Sequence, residues 1–234
     1  MRGKRLYSIN ARKSTKDEAR AGESSITGNL KFPGFPYMVM VHQFNDNELV
    51  GLCSGTILSK RWVLTAAHCI GKHSRFHVVF DNVDKSGIYD FLRDMTIINT
   101  TQAFVHPQYI NREFYNNIAL LYTPQDIPFS NDIQPIKLAY YDESFVDKDT
   151  YLCENNVCKQ SWPINDKHIC TAIGLGQDAC EASGGSPLVV VQNGQDFQIG
   201  IASFRGQFCS DNLPNVFTKV SSYKDWIREV MTLY

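Results

Sequence analysis

An all-β fold closed by one C-terminal helix is the class the sequence predicts, and three observations predict it. Runs such as Met38–Val41, Leu49–Leu58, Phe76–Phe80 and Met95–Ile98 have the composition and length of strands. Turn signals separate such runs: Asn45-Asp46-Asn47 follows the first, and Asn193-Gly194 joins Leu188–Val191 to Gln198–Ser203 as a hairpin. Helical period enters near the end, where Ser222–Met231 places Trp226, Ile227, Val230 and Met231 on one face.

The 234 residues suffice for one large β-domain or two fused lobes with a proper core. A net charge of -1 gives no pull toward nucleic acid, and no apolar run is long enough to cross a bilayer, so neither partner is expected. The seven cysteines indicate an oxidising, extracellular compartment, with one thiol left over. Met1-Arg-Gly-Lys-Arg-Leu-Tyr7 lacks the apolar core of a signal peptide, so Met1 reads as a start on a mature or proenzyme-like form.

Residues 1–25 carry seven Lys or Arg against Asp17, Glu18 and Glu23. They read as a pro-segment or binding tail, or as a solvated, partly disordered arm; composition favours the arm. Asn99-Thr-Thr101 is an N-glycosylation sequon, meaningful in a secreted chain. Asp142, Glu143, Asp147, Asp149 and Glu154 form an acidic loop, either a contact surface or simply solvated.

Two stretches carry the chemistry. Cys53-Ser-Gly-Thr-Ile-Leu-Ser-Lys-Arg-Trp-Val-Leu-Thr-Ala-Ala-His-Cys69 resembles the histidine loop of the chymotrypsin/trypsin family. Asp178-Ala-Cys-Glu-Ala-Ser-Gly-Gly-Ser-Pro-Leu-Val189 resembles that family's nucleophile loop, D-S-C-Q-G-D-S-G-G-P-L-V. Ile26-Thr-Gly-Asn29 looks like the family's mature start, and Tyr115-Asn-Asn-Ile-Ala-Leu-Leu121 like the segment holding the third triad member. The resemblance implies two packed antiparallel β-barrels of the six-stranded trypsin-like type, about 26–134 and 135–221, with the helix over 222–232. The distance from Asn117 to Gly184 is short for the family by enough to remove a hairpin, so the second barrel is expected to be opened or trimmed, or its missing strands replaced by a segment that does not align.

The same resemblance implies the disulfides Cys53–Cys69 and Cys180–Cys209. Cys158 is the chosen partner for Cys170, leaving Cys153 free, with Cys153–Cys170 as the rival. It also places the triad at His68, Asn117 and Gly184, two of which have lost the needed group. Glycine has no oxygen with which to attack a carbonyl. Asparagine cannot accept the imidazole N–H as a carboxylate does; in a chymotrypsin-type protease that exchange costs ~10⁴ in kcat. Ser183 stands where the activation latch needs an aspartate, and Ser25 before Ile26 gives a trypsin-like activator no basic residue to cut after. At the oxyanion donor Ala182 replaces glycine. Asp178, Ser203, Phe204, Arg205 and Asn215 align with the specificity pocket; Arg205 either fills it and pairs with Asp178 or turns to solvent.

The expectation is therefore a catalytically inactive homologue, without metal or cofactor, that binds protein partners through its surface loops as a secreted monomer. It is similar to the inactivated protease paralogues of the scabies mite, relatives of the mite group 3 allergens, which implies interference with host defence proteins, complement included. The alternatives are a non-catalytic co-factor of a proteolytic cascade and a weak residual hydrolase using Ser183.

Overall fold

The computed structural model describes residues 5–8, 35–80, 96–111, 115–139, 152–153, 155–171, 184–204 and 213–234. The first sheet comprises β2 (Met38–Asn45), β3 (Glu48–Ser59), β4 (Trp62–Thr65), β5 (Arg75–Phe80), β6 (Thr96–Thr100), β7 (Gln102–Val105) and β8 (Ala119–Tyr122). Its order is β6-β5-β2-β3-β4-β8-β7. The two ends of that path, β6 and β7, are separated only by Thr101, so the sheet returns on itself as a barrel must.

Alternation decides what fills it. Val39, Val41 and Gln43 point inward from β2 while Met40, His42 and Phe44 lie nearer the outside. Phe76, Val78 and Phe80 of β5 join Ile57, Leu64, Ile98, Leu120 and Leu121 in one large core.

The second sheet holds β1 (Arg5–Ser8), β9 (Lys137–Leu138), β10 (Leu152–Cys153), β11 (His168–Thr171), β12 (Pro187–Gln192), β13 (Gln195–Phe204) and β14 (Val216–Lys219). Its path runs β1-β12-β13-β14-β11-β10, with β9 paired to β13. The β12–β13 hairpin turns at Asn193 and Gly194, whose φ values of 55° and 78° suit the right-handed strand twist. Its own core is small: Ala139, Leu188, Val190, Ile199, Ala202 and Phe217.

Two expectations need correction here. Arg5–Ser8 is no solvated arm: it is a strand antiparallel to β12. The second sheet is not wholly antiparallel, because β9 runs parallel to β13. Its described strands leave that sheet open, one of the forms expected for the second barrel: the path ends at β1 on one side and the two-residue β10 on the other.

The sheets are joined by buried polar contacts. Thr56 Oγ1 donates to Gln198 Oε1 at 2.7 Å, and Tyr37 Oη donates to Asp196 Oδ2 at 2.7 Å. Ile201 of β13 enters the first core. So does the C-terminal helix, Lys224–Leu233, which buries Ile227 and packs Trp226, Val230 and Met231 against it. A hydrophobic stripe at helical period has only that face to bury.

Two disulfides lie among the described residues, Cys53–Cys69 and Cys158–Cys170, with Cα atoms 6.0 and 6.4 Å apart. Cys153 stands opposite Cys170 in backbone register, yet the Cys170 sulfur is bonded to Cys158. Cys180 and Cys209 lie outside the described residues. The Cys158–Cys170 loop spans 12 positions, so replacing both cysteines by alanine is expected to cost about 3 kcal/mol. Thermal melts should move down by roughly 6–12 °C for a domain of this size.

Candidate active-site remnant

Three short pieces of backbone bring the triad-equivalent residues together. His68 sits in the 3₁₀ turn Ala67–Cys69 that follows β4, and the Cys53–Cys69 bridge ties that turn to β3. Gln43, inward-facing on β2, donates from Nε2 to the Cys69 carbonyl at 2.6 Å and reaches the Cys53 sulfur at 3.3 Å. Asn117 precedes β8, after Asn116, whose φ of 54° is a conformation asparagine tolerates better than most residues. Gly184 leads into β12, and its carbonyl accepts the Ser54 N–H at 2.8 Å.

Asn117 is fully buried, with both ends of its amide committed. Oδ1 accepts the His68 backbone N–H at 3.0 Å; Nδ2 donates to Ser203 Oγ at 2.8 Å and faces the Ser203 carbonyl at 3.4 Å. A backbone N–H only donates and a backbone carbonyl only accepts, so these two partners fix the amide's orientation. Nδ2 then meets His68 Nδ1 at 2.9 Å as a donor, closer than the 3.3 Å approach of Oδ1 to the same nitrogen. In the neutral ring Nδ1 accepts, and the proton rests on Nε2. Acyl transfer needs the reverse, a bare Nε2 able to take a proton from the nucleophile.

The ring also lies against Gly184, where a larger side chain would begin. A β-carbon built on Gly184 would overlap His68 Nε2 and stand 2.8 Å from Cε1 and 3.3 Å from Cys69 Sγ. While the imidazole stays there, hydrogen alone fits at residue 184. Cys53, His68 and Cys69 cluster closely enough to suggest metal ligation, but their two sulfurs are bonded to each other and are not thiolates. Among the described residues, the arrangement places a buried imidazole against a glycine at position 184.

Burial, the largest cause, pushes the His68 pKa below its ordinary 6.5. His42, His77 and His106 are lowered as well, each first by burial and then by a neighbouring His77, Arg75 or Lys167. The unfolded chain takes these protons near pH 6.5, the folded chain only at lower pH. The unfolded state therefore binds more protons in that window, and stability, complete above it, falls as the pH drops through it. Thermal melts between pH 7.5 and 5 should show a melting temperature that declines from about pH 6.5 downward.

A family model described as Trypsin matches residues 28–152 and 146–227. The chain belongs to the trypsin family. Chymotrypsin-2 of Vespa crabro is 32% identical over 201 residues, covering 76% of this chain and 88% of that protein. Trypsin II-P29 of Gallus gallus is 26% identical over 242 residues, covering 92% of each. A structure titled HL collagenase superposes with a TM-score of 0.70 at 23% identity, over 85% of this chain and 94% of that one, a likeness of fold.

The trypsin-like fold thus brings together His68, Asn117 and Gly184, and adds Ser203, which accepts a hydrogen bond from Asn117. Phe204 ends β13 opposite Val216, and the Asn215 carbonyl accepts the Thr171 N–H at 3.1 Å. Asn99 is exposed on β6. Ile26, Asp178, Ala182, Ser183 and Arg205, with the acidic loop residues 142–149, lie outside the described residues. Gln43 was missed altogether, although its inward place in the β2 alternation marks it as a polar residue needing partners. The two bridges fit an extracellular setting.

Proposed function

We propose that this trypsin-family chain is a catalytically inactive homologue that works as a secreted binding protein. One observation carries the reading: residue 184 is glycine, and the His68 ring lies where a serine side chain would stand. Loss of the nucleophile alone costs ~10⁶ in kcat in subtilisin, roughly 8 kcal/mol of transition-state stabilisation. Asn117 removes the carboxylate as well and leaves the proton on the wrong imidazole nitrogen. With the cleft disarmed at two positions, surface loops remain as the part of the scaffold able to recognise a partner. The resemblance to the inactivated mite paralogues extends the proposal to host defence proteins, complement among them, as the partners.

Two measurements test it. A fluorophosphonate probe followed by mass analysis should leave the folded protein unlabelled; an adduct on Ser183 would establish a residual hydrolase instead. Immobilised protein incubated with host serum should retain a defence protein above the level held by an active trypsin blocked at its serine. Equal retention by the two would remove the binding role.

A further inference from the structure

We propose that Arg5–Ser8 is a captive edge strand that seals the β12 edge, so that the chain ahead of Ile26 is a working part of the fold. The argument begins with β12, whose sequence Pro187-Leu-Val-Val-Val-Gln192 is apolar and largely β-branched. Both of its faces are occupied. Leu188 and Val190 enter the core of the second sheet, while Val189 enters a separate cluster with Tyr37, Met38 and Ile136. One of its edges is occupied by β13.

The remaining edge is a run of backbone donors and acceptors beside apolar side chains. Such an edge recruits further strands when left bare, because each unpaired group gains a partner and the apolar flanks add burial. Arg5, Leu6, Tyr7 and Ser8 pair with Val191, Val190, Val189 and Leu188, so the strand covers the apolar stretch residue for residue. Arg2 and Lys4 precede it and Arg12 and Lys13 follow it in sequence, basic residues of the kind that stop an edge from adding another copy. The second sheet needs this cover more than the first, whose path returns on itself through Thr101.

The occupant matched to the edge is thus this chain's own segment. Were it detached, the same segment of a second copy would be the competent replacement, since it presents the same pairing. Removing residues 1–25 by proteolysis would convert a sealed molecule into a self-associating one.

Hydrogen exchange with peptide-level resolution tests the proposal on the full chain. In the intact protein the β12 amides directed at β1 should be protected. In a variant lacking residues 1–12 they should exchange at least ~10-fold faster while β13 and β14 keep their protection, and light scattering should register dimers or larger species. A synthetic peptide of residues 1–12 added to that variant should restore both protection and the monomer. Tyr7→Pro in the full-length chain provides the second variant: Tyr7 pairs with Val189, whose backbone groups turn away from β13, so proline there removes a ladder donor without shortening the protein. It should lower the melting temperature by roughly 5 °C. Unchanged β12 exchange in both variants would overturn the proposal, as would a deletion variant that stays monomeric with an unaltered melt.

Discussion

Gly184→Ser alone is expected to leave esterase and peptidase activity at background, whereas Gly184→Ser with Asn117→Asp should exceed it by ~10⁴ in kcat. The single variant meets two obstacles. Its β-carbon overlaps His68 Nε2, so the ring must first swing aside. Even then the Asn117 Nδ2 donor holds Nδ1 as an acceptor, and the proton on Nε2 faces the new hydroxyl. A serine beside a protonated Nε2 has no base.

The second substitution reverses that polarity with little rebuilding. An aspartate at 117 accepts the His68 backbone N–H as Oδ1 does now, and the Ser203 hydroxyl need only turn from acceptor to donor. Its other oxygen accepts Nδ1–H, which leaves Nε2 bare. The carboxylate also raises the imidazole pKa, now held down by burial, so activity in the double variant should rise with pH through a single histidine titration. A small activated ester is the proper substrate, because it makes no demand on a pocket that carries its own substitutions. Activity in the single variant equal to that in the double would refute the tautomer argument.

The parts of this molecule legible in the sequence are those set by local chemistry. Asn193-Gly194 dictates a tight hairpin wherever it falls between apolar runs, and β12–β13 turns there. The stripe Trp226, Ile227, Val230, Met231 forms a helix and buries the face it should. Gly184 and Asn117 can be read from residue type alone as lacking a hydroxyl and a carboxylate, since that needs no geometry. What escaped was non-local. Leu6 and Tyr7 make too short an apolar pair, in too basic a segment, to announce a strand, and the edge they cover lies far along the chain. The close approach of the His68 ring to Gly184 is likewise invisible in sequence, because it joins residues far apart in the chain. The hydrogen bond from Asn117 to the Ser203 hydroxyl escaped for the same reason.

Gly185→Ala should be among the most destabilising single-methyl additions in the chain, and a comparison with Gly194→Ala explains why. Both glycines hold left-handed φ values, 85° at Gly185 and 78° at Gly194. Strain from that conformation costs an alanine about 1–2 kcal/mol at either site. Their surroundings differ completely. A β-carbon at 194 meets nothing within 4 Å, so the cost ends with the strain. At 185 it would overlap the Ser54 carbonyl oxygen and crowd Thr65 Oγ1. Those two atoms are themselves hydrogen-bonded at 2.7 Å, and the Gly185 N–H donates to the Ala202 carbonyl at 3.0 Å. The added methyl therefore forces apart the joint where β3 of the first sheet meets β12 and β13 of the second. Overpacking and loss of a buried hydrogen bond add to the strain, for a total of about 4 kcal/mol. The melting temperature should fall by roughly 8–16 °C, against about 2–8 °C for the alanine at 194. Equal shifts in the two variants would mean that backbone strain is the whole cost and that the joint between the sheets yields freely.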